Sequence, residues 1–168
     1  MRKHFYNICF IIIIFSTSGC GVYSFTGASI PPELKTISIE YFNNMSSLVS
    51  PNLSNILTEK LKQRIINQTK LNLVAKNGDV NIKGIITNYN TMPIAIQANE
   101  TAAMNRLTIS ISCNYTDKID DKRNFDITFS RYEDFDSKTA FNTIEDELNE
   151  KISEQLIDDI FNKAFVNW

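Results

Sequence analysis

Histidine is almost missing: His4 is the single example in 168 residues. It falls in an N-terminal stretch with the marks of a removable signal, so the mature chain is expected to hold no imidazole for acid–base catalysis or metal ligation. Cysteine is scarce as well, with Cys9, Cys20 and Cys113. Cys9 belongs to the same stretch and Cys20 ends it, which leaves Cys113 without a partner for an internal disulfide. The domain must therefore be held by its core alone. Glycine-rich phosphate loops and spaced His or Cys clusters are lacking, and Asp120-Asp121, Glu133-Asp134 and Glu145 to Glu147 fall in turns or helix starts, where solvation and capping account for them. Neither an enzyme nor a binder of metal or cofactor is expected. Positive charge is in short supply too: the 17 Lys and Arg less Arg2 and Lys3 leave 15 against 19 acidic residues, a formal charge of −4 for the mature part. Nucleic acid is an unsuitable partner for such a surface.

What is present begins with Arg2 and Lys3, an apolar run from Phe5 to Phe15, and small residues from Ser16 to Gly19. This is the secretory layout. A membrane-spanning helix needs roughly 20 apolar residues, whereas this run is interrupted by Asn7 and stops at Ser16. Thr17-Ser18-Gly19-Cys20 resembles the lipobox of bacterial lipoproteins, in which small residues precede an acylated cysteine. Residues 1–19 are thus expected to be removed and Cys20 to take the lipid, with each buried methylene adding about 0.8 kcal/mol to anchoring. Residues 20–35, with glycines and prolines between Gly21 and Pro32, read as a flexible tether. Residues 36–168 read as one domain.

Within that domain, Thr36 to Phe42 alternates, with Ile37, Ile39 and Tyr41 on one face, and predicts a half-buried first strand. Ser50-Pro51 offers an N-cap followed by proline, and Leu53, Ile56, Leu57, Leu61 and Ile65 share a stripe, so a helix is expected from about Pro51 to Gln68. Leu71, Leu73 and Ala75 form a short strand ending at Asn77-Gly78, a dipeptide suited to a tight hairpin turn. The next strand runs from Val80 to about Asn90, where Thr91-Met92-Pro93 is expected to end pairing. The strictest alternation sets Leu107, Ile109, Ile111, Cys113 and Tyr115 against Thr108, Ser110, Ser112, Asn114 and Thr116, which makes Cys113 a small core residue. A charged turn from Lys118 to Asn124 leads to a strand holding Phe125, Ile127 and Phe129 and reaching roughly Glu133. Thr143 can cap a last helix with the stripe Ile144, Leu148, Ile152, Leu156, Ile160 and Ala164, widened by Ile157, Phe161 and Phe165.

The order is β-α-β-β-β-β-α. Two amphipathic helices can cover one face of one mixed, mostly antiparallel sheet of about five strands, so the expected fold is a two-layer α+β sandwich. The crossover through the first helix should be right-handed.

Two stretches invite a partner. Pro93, Ile94 and Ile96 put apolar side chains on what reads as a loop, either as an exposed contact site or as an extension of the preceding strand's buried face. Lys118, Lys122 and Arg123, with Arg106 at the head of the strand leading to them, could hold phosphate groups. Interleaved Asp117, Asp120 and Asp121 dilute that field and favour a solvated turn.

The segments Gly21-Val22-Tyr23-Ser24-Phe25, Ile37-Ser38-Ile39-Glu40-Tyr41-Phe42-Asn43-Asn44, Leu57-Thr58-Glu59-Lys60-Leu61 and Ile82-Lys83-Gly84-Ile85-Ile86-Thr87-Asn88-Tyr89 together resemble the lipopolysaccharide-assembly lipoprotein family LptE. Arg106-Leu107-Thr108-Ile109, Phe129-Ser130-Arg131-Tyr132 and Asn167-Trp168 extend the resemblance, and the branch it is most similar to is that of Bacteroidetes. The resemblance implies a lipid-anchored subunit on the periplasmic side of the outer membrane. That subunit plugs the β-barrel partner LptD and binds lipopolysaccharide through loops at one end of the sheet and through basic residues. By position these would be Ile94, Ile96, Arg106, Lys118, Lys122 and Arg123. The second reading is a periplasmic lipoprotein that activates a peptidoglycan synthase, for which the stretch from Gly21 to Pro32 is a short tether.

Overall fold

The structure is a computed structural model that describes residues 30–48, 50–94 and 104–166. Cys20, Ile96 and most of the tether lie outside the described residues. The elements are β1 (Thr36–Ile39), β2 (Asn43–Asn44), α1 (Leu53–Gln68), β3 (Asn72–Val74), β4 (Val80–Ile94), β5 (Met104–Asp117), a 3-10 turn (Asp121–Arg123), β6 (Phe125–Asp136) and α2 (Phe141–Phe165). One sheet runs in the order β3-β1-β4-β5-β6, with β2 also on β4. β4, β5 and β6 form a long antiparallel meander, while β1, β2 and β3 join in parallel. The mixed α+β architecture with two helices is the one expected.

Alternation along the strands builds the core. Ile37 and Ile39 of β1, Val80, Ile82 and Ile86 of β4, and Leu107, Ile109, Ile111, Cys113 and Tyr115 of β5 are all buried. They meet Leu53, Leu57, Leu61 and Ile65 of α1 and Leu148, Ile152, Leu156, Ile160 and Phe165 of α2 in one cluster. Full burial of each such side chain contributes about 1.5–3 kcal/mol. Tyr115 anchors one end, its ring stacked 5.1 Å from Phe125 and meeting Phe165 edge-on at 6.1 Å. The helices are also tied across their outer surface, where Lys60 reaches Glu150 at 2.7 Å and Glu154 at 3.0 Å, and Arg64 reaches Glu154 and Asp158. The opposite face of β5 is polar, with Thr108, Ser110, Ser112 and Asn114 in its even positions.

Several local expectations are corrected, each for a visible reason. The first strand does not continue to Phe42 as one element. Tyr41 turns outward at 54% exposure while Phe42 is fully buried, so the alternation inverts after Glu40 and Asn43–Asn44 forms a sixth strand. The Phe42 backbone N–H donates to Thr58 Oγ1 at 3.1 Å, which fixes the inversion. Helix α1 begins at Leu53 with no side-chain cap, because Ser50 Oγ is used instead as acceptor for Asn149 Nδ2 at 2.9 Å. Likewise α2 begins at Phe141, and Thr143 Oγ1 donates to the Ala140 carbonyl rather than capping. Leu73 is 37% exposed on the edge strand β3 instead of facing the core with Leu71.

Asn77-Gly78 does take the left-handed conformation, with φ of 60° at Asn77, yet it closes no hairpin. β3 and β4 flank β1 on opposite sides, so the chain crosses over β1. A Cβ at Gly78 would lie 2.6 Å from Ser38 N and 2.7 Å from Ile37 C; only glycine permits that approach. The Gly78 N–H donates to Ser38 Oγ and the Asp79 carboxylate accepts the Lys35 and Thr36 N–H groups. Finally, β4 passes through Thr91-Met92-Pro93 and pairs with β5 as far as Ile94. Past Ile86 no strand pairs with the other flank of β4 among the described residues, and a proline is tolerated on a strand paired on one side.

Candidate functional site

The β4–β5 hairpin is the longest feature of the sheet and separates the residues picked out from the sequence into two groups. Ile94 pairs with Met104 and Met92 with Arg106 at its tip, whereas Val80 pairs with Asp117 at its base. At roughly 3.3 Å per residue, Arg106 and Lys118 are about 40 Å apart. They form no common patch.

At the tip, Ile94 is partly buried and Met92 is 53% exposed. Arg106 Nε and Nη2 donate to Asp134 Oδ1 and Oδ2 at 2.7 and 2.9 Å, and the guanidinium lies 3.6 Å over the centre of the Tyr132 ring. The hydrogen bonds from Arg106 hold the Asp134 carboxyl below the usual carboxylate range. This planar fork on a carboxylate, backed by an aromatic face, is a geometry arginine makes and lysine does not. Met92 and Tyr132 were not singled out from the sequence. Alternation could have found Tyr132, since it shares a parity with Arg106 and Asp134 across two paired strands.

At the base, Lys118 Nζ donates to the Asn77 carbonyl at 3.0 Å, and Lys122 is exposed. Arg123 turns inward: its side chain is 12% exposed and its Nε lies 3.1 Å from Oδ2 of Asp117, whose side chain is fully buried. Asp117 Oδ1 also accepts the N–H groups of Ile119 and Asp120 at 2.8 and 3.0 Å, and the Asp117 N–H donates to Asn124 Oδ1 at 2.6 Å. The turn is thus an ordered structure around a buried carboxylate, with Arg123 answering its charge.

Elsewhere polar groups serve the fold. Tyr89 donates its hydroxyl to Glu145 Oε1 at 2.7 Å, and burial raises its pKa. Burial likewise pushes the Cys113 thiol up to about 12, which keeps it protonated and inert. Among the described residues no group of His, Cys, Asp and Glu could hold a metal ion, and no helix is long and apolar enough to cross a membrane.

Comparison with known proteins follows the same lines. The chain spans most of two solved structures. One is a minor lipoprotein from Acinetobacter baumannii, with TM-score 0.50, 16% identity, and coverage of 78% of this chain and 94% of that one. The other is the hypothetical protein CT253 from Chlamydia trachomatis, with TM-score 0.52, 7% identity, and coverage of 80% and 99%. At those identities the likeness speaks for the fold alone. No curated protein matches the sequence significantly. The model of the family LptE, lipopolysaccharide-assembly, matches residues 34–164, a span that takes in the strands of the described residues, α1 and all but the last residue of α2, and the chain belongs to that family.

Proposed function

We propose that the chain acts as an outer-membrane lipoprotein, lipidated on Cys20 after removal of residues 1–19, that plugs and helps assemble the LptD β-barrel. There it binds lipopolysaccharide for insertion into the outer leaflet. The observation that carries this reading is the family match over residues 34–164, which supports a role in lipopolysaccharide assembly. Geometry supports it. β1 starts beside the hairpin base, where Asp79 holds the Lys35 and Thr36 N–H groups, so residues 30–35, the described end of the proposed tether, join the sheet there. The tip with Met92, Ile94 and Arg106 is carried about 45 Å away along β4. A lipid-tethered domain can work by contact, and the end of the β4–β5–β6 meander that exposes Met92 beside Ile94 is the part we assign to making it. Ile96, next along the chain, belongs to the same proposed contact, whereas Lys118 and Lys122 face the tether end.

The test is retention of partners by the full-length protein. Tagged chain extracted in mild detergent should bring down a large outer-membrane barrel, identified by mass spectrometry, together with lipopolysaccharide. Recovery of the folded lipoprotein without any barrel would end this reading.

A further inference from the structure

The two edges of the sheet differ. β3 ends one side with 3 residues, whereas β6 ends the other with 12, from Phe125 to Asp136. β6 pairs with β5 in one unbroken register over its whole length, without the shift that interrupts β4 and β5 between Ile86 and Asn88. It holds no proline and no lysine, and proline, lysine and bulges are the usual means by which an edge strand is closed to further pairing. Among the described residues no strand pairs with its outer flank, where alternate residues turn their N–H and C=O groups away from β5. A groove of about 400 Å³ lies along that flank, lined by Ser130 to Asp134 of β6 and by Gln155 of α2.

The two rows of side chains on this strand carry different chemistry. On the side of the helices, Phe125, Ile127 and Phe129 are only partly buried, and Phe125 and Phe129 pack against the core from its margin. Further along the same row, Arg131 is taken by Asp159 through two hydrogen bonds of 2.6 Å, and Glu133 accepts from the Gln155 amide at 2.6 Å. Lys151 stands near Glu133 but is held by Glu147 at 2.6 Å. On the opposite row Asp134 is answered by Arg106. Its neighbours meet neutral donors: Asp126 accepts from the Ser112 hydroxyl and the Asn114 amide, and Asp136 from the Lys138 N–H. The strand thus carries Asp126, Glu133, Asp134 and Asp136 against a single arginine, already committed to Asp159.

We propose that β6 accepts an extended, basic peptide segment of a partner protein as an added strand. Main-chain groups of the segment take the outward N–H and C=O groups of β6. Its side chains on the helix side lie against Phe125, Ile127 and Phe129, and lysines or arginines on the other side meet Asp126 and Asp136. Alternation of aliphatic and basic residues is therefore the pattern recognised. A second copy of the chain is a poor occupant. Antiparallel pairing of two β6 strands about Ser130 sets Asp126 of each opposite Asp134 of the other, and like charges directly opposite are destabilising. The carboxylates that keep this edge from self-association are the ones that select a cationic strand. The proposal is independent of the barrel and lipopolysaccharide readings above.

The experiment uses the full-length chain in mild detergent and a short fluorescent peptide in which lysine alternates with valine, with binding read by anisotropy. Wild type should bind it, and binding should slow hydrogen exchange at the amides of Phe125–Asp136 and not at those of Asn72–Val74. The same peptide with every amide N-methylated, or with glutamate in place of lysine, should bind about tenfold more weakly or less. Asp126→Lys with Asp136→Lys should lose about tenfold in affinity, while Glu33→Lys with Glu59→Lys, an equal change of charge away from this edge, should not. Circular dichroism on each variant separates a folding defect, and Asp126→Asn with Asp136→Asn gives a smaller loss in the same direction without reversing charge. Undiminished binding of the N-methylated peptide, equal loss in both charge-reversed variants, no binding, or slowed exchange elsewhere than β6 would overturn the proposal. So would concentration-dependent protection of the β6 amides without peptide, the mark of a dimer joined at that edge. The mixture contains no barrel, so this outcome and barrel retention stand apart.

Discussion

The ring of Phe42 occupies the space above Gly84: a Cβ there would lie 2.2 Å from Phe42 Cε1. Phe42 is fully buried and cannot swing away. Gly84→Ala should therefore cost about 1–3 kcal/mol, the usual range for overpacking a well-filled core. Urea denaturation checks this, and Phe42→Leu added to Gly84→Ala should cost less than the two separate losses combined, since the pair is in contact.

Asp117 and Arg123 give a larger effect. Arg123→Met leaves the fully buried Asp117 side chain facing a lost cation and should destabilise by about 3–5 kcal/mol. Adding Asp117→Asn to Arg123→Met should recover part of the loss. No recovery in the double variant would show that the carboxylate charge was not what Arg123 answered.

Cys113 should be silent in the native state. With its thiol pushed up to about 12 by burial, reaction with a disulfide reagent at pH 8 should run on the order of 10³-fold slower than after unfolding in guanidinium. Peptide mapping of the labelled cysteine distinguishes it from the N-terminal ones.

Acid should loosen the fold. Lys60, and with it Arg64, lowers the pKa of Glu154 in the folded chain, and Arg106 lowers that of Asp134. A carboxylate lowered in the folded state stabilises fully above its unfolded value and loses that contribution as pH falls through the folded one, here below about pH 5. Urea midpoints should drop between pH 5 and pH 3. Glu154→Gln should flatten that limb slightly and cost at most about 1 kcal/mol at pH 7, because the pair is half exposed and screened.

Ile94→Asp at the end of β4, combined with Ile96→Asp two residues on in the sequence, should reduce barrel retention severalfold while the isolated domain keeps its circular dichroism and melting temperature. Equal loss of folding would place those side chains in the core instead.

How far the fold could be read in advance depended on where the pattern was local. Period-two alternation in Leu107 to Tyr115 and the stripes from Leu53 to Ile65 and Leu148 to Phe165 were legible because one face of each element meets the core and one meets water. What alternation could not carry was the inversion at Tyr41 and Phe42, which depends on an empty place at Gly84 on a strand forty residues later. Asn77-Gly78 was recognisable as a left-handed site but not as a crossing, since that requires knowing that β1 lies between β3 and β4. Charge was harder still. Arg123 and Lys122 are neighbours of one type, and it is the first that turns inward, to the buried carboxylate of Asp117 with Asp120 beside it.

The crossing over β1 has a consequence for how such a chain is made. β1 emerges first from any machine that delivers a polypeptide N-terminus first, yet both of its partners, beginning at Asn72 and Val80, arrive long after it. Pairings that distant in sequence form slowly, so an early strand of alternating Ile37 and Ile39 must wait unpaired, exposed to mispairing and to whatever chaperone shields it, until Gly78 has passed over it.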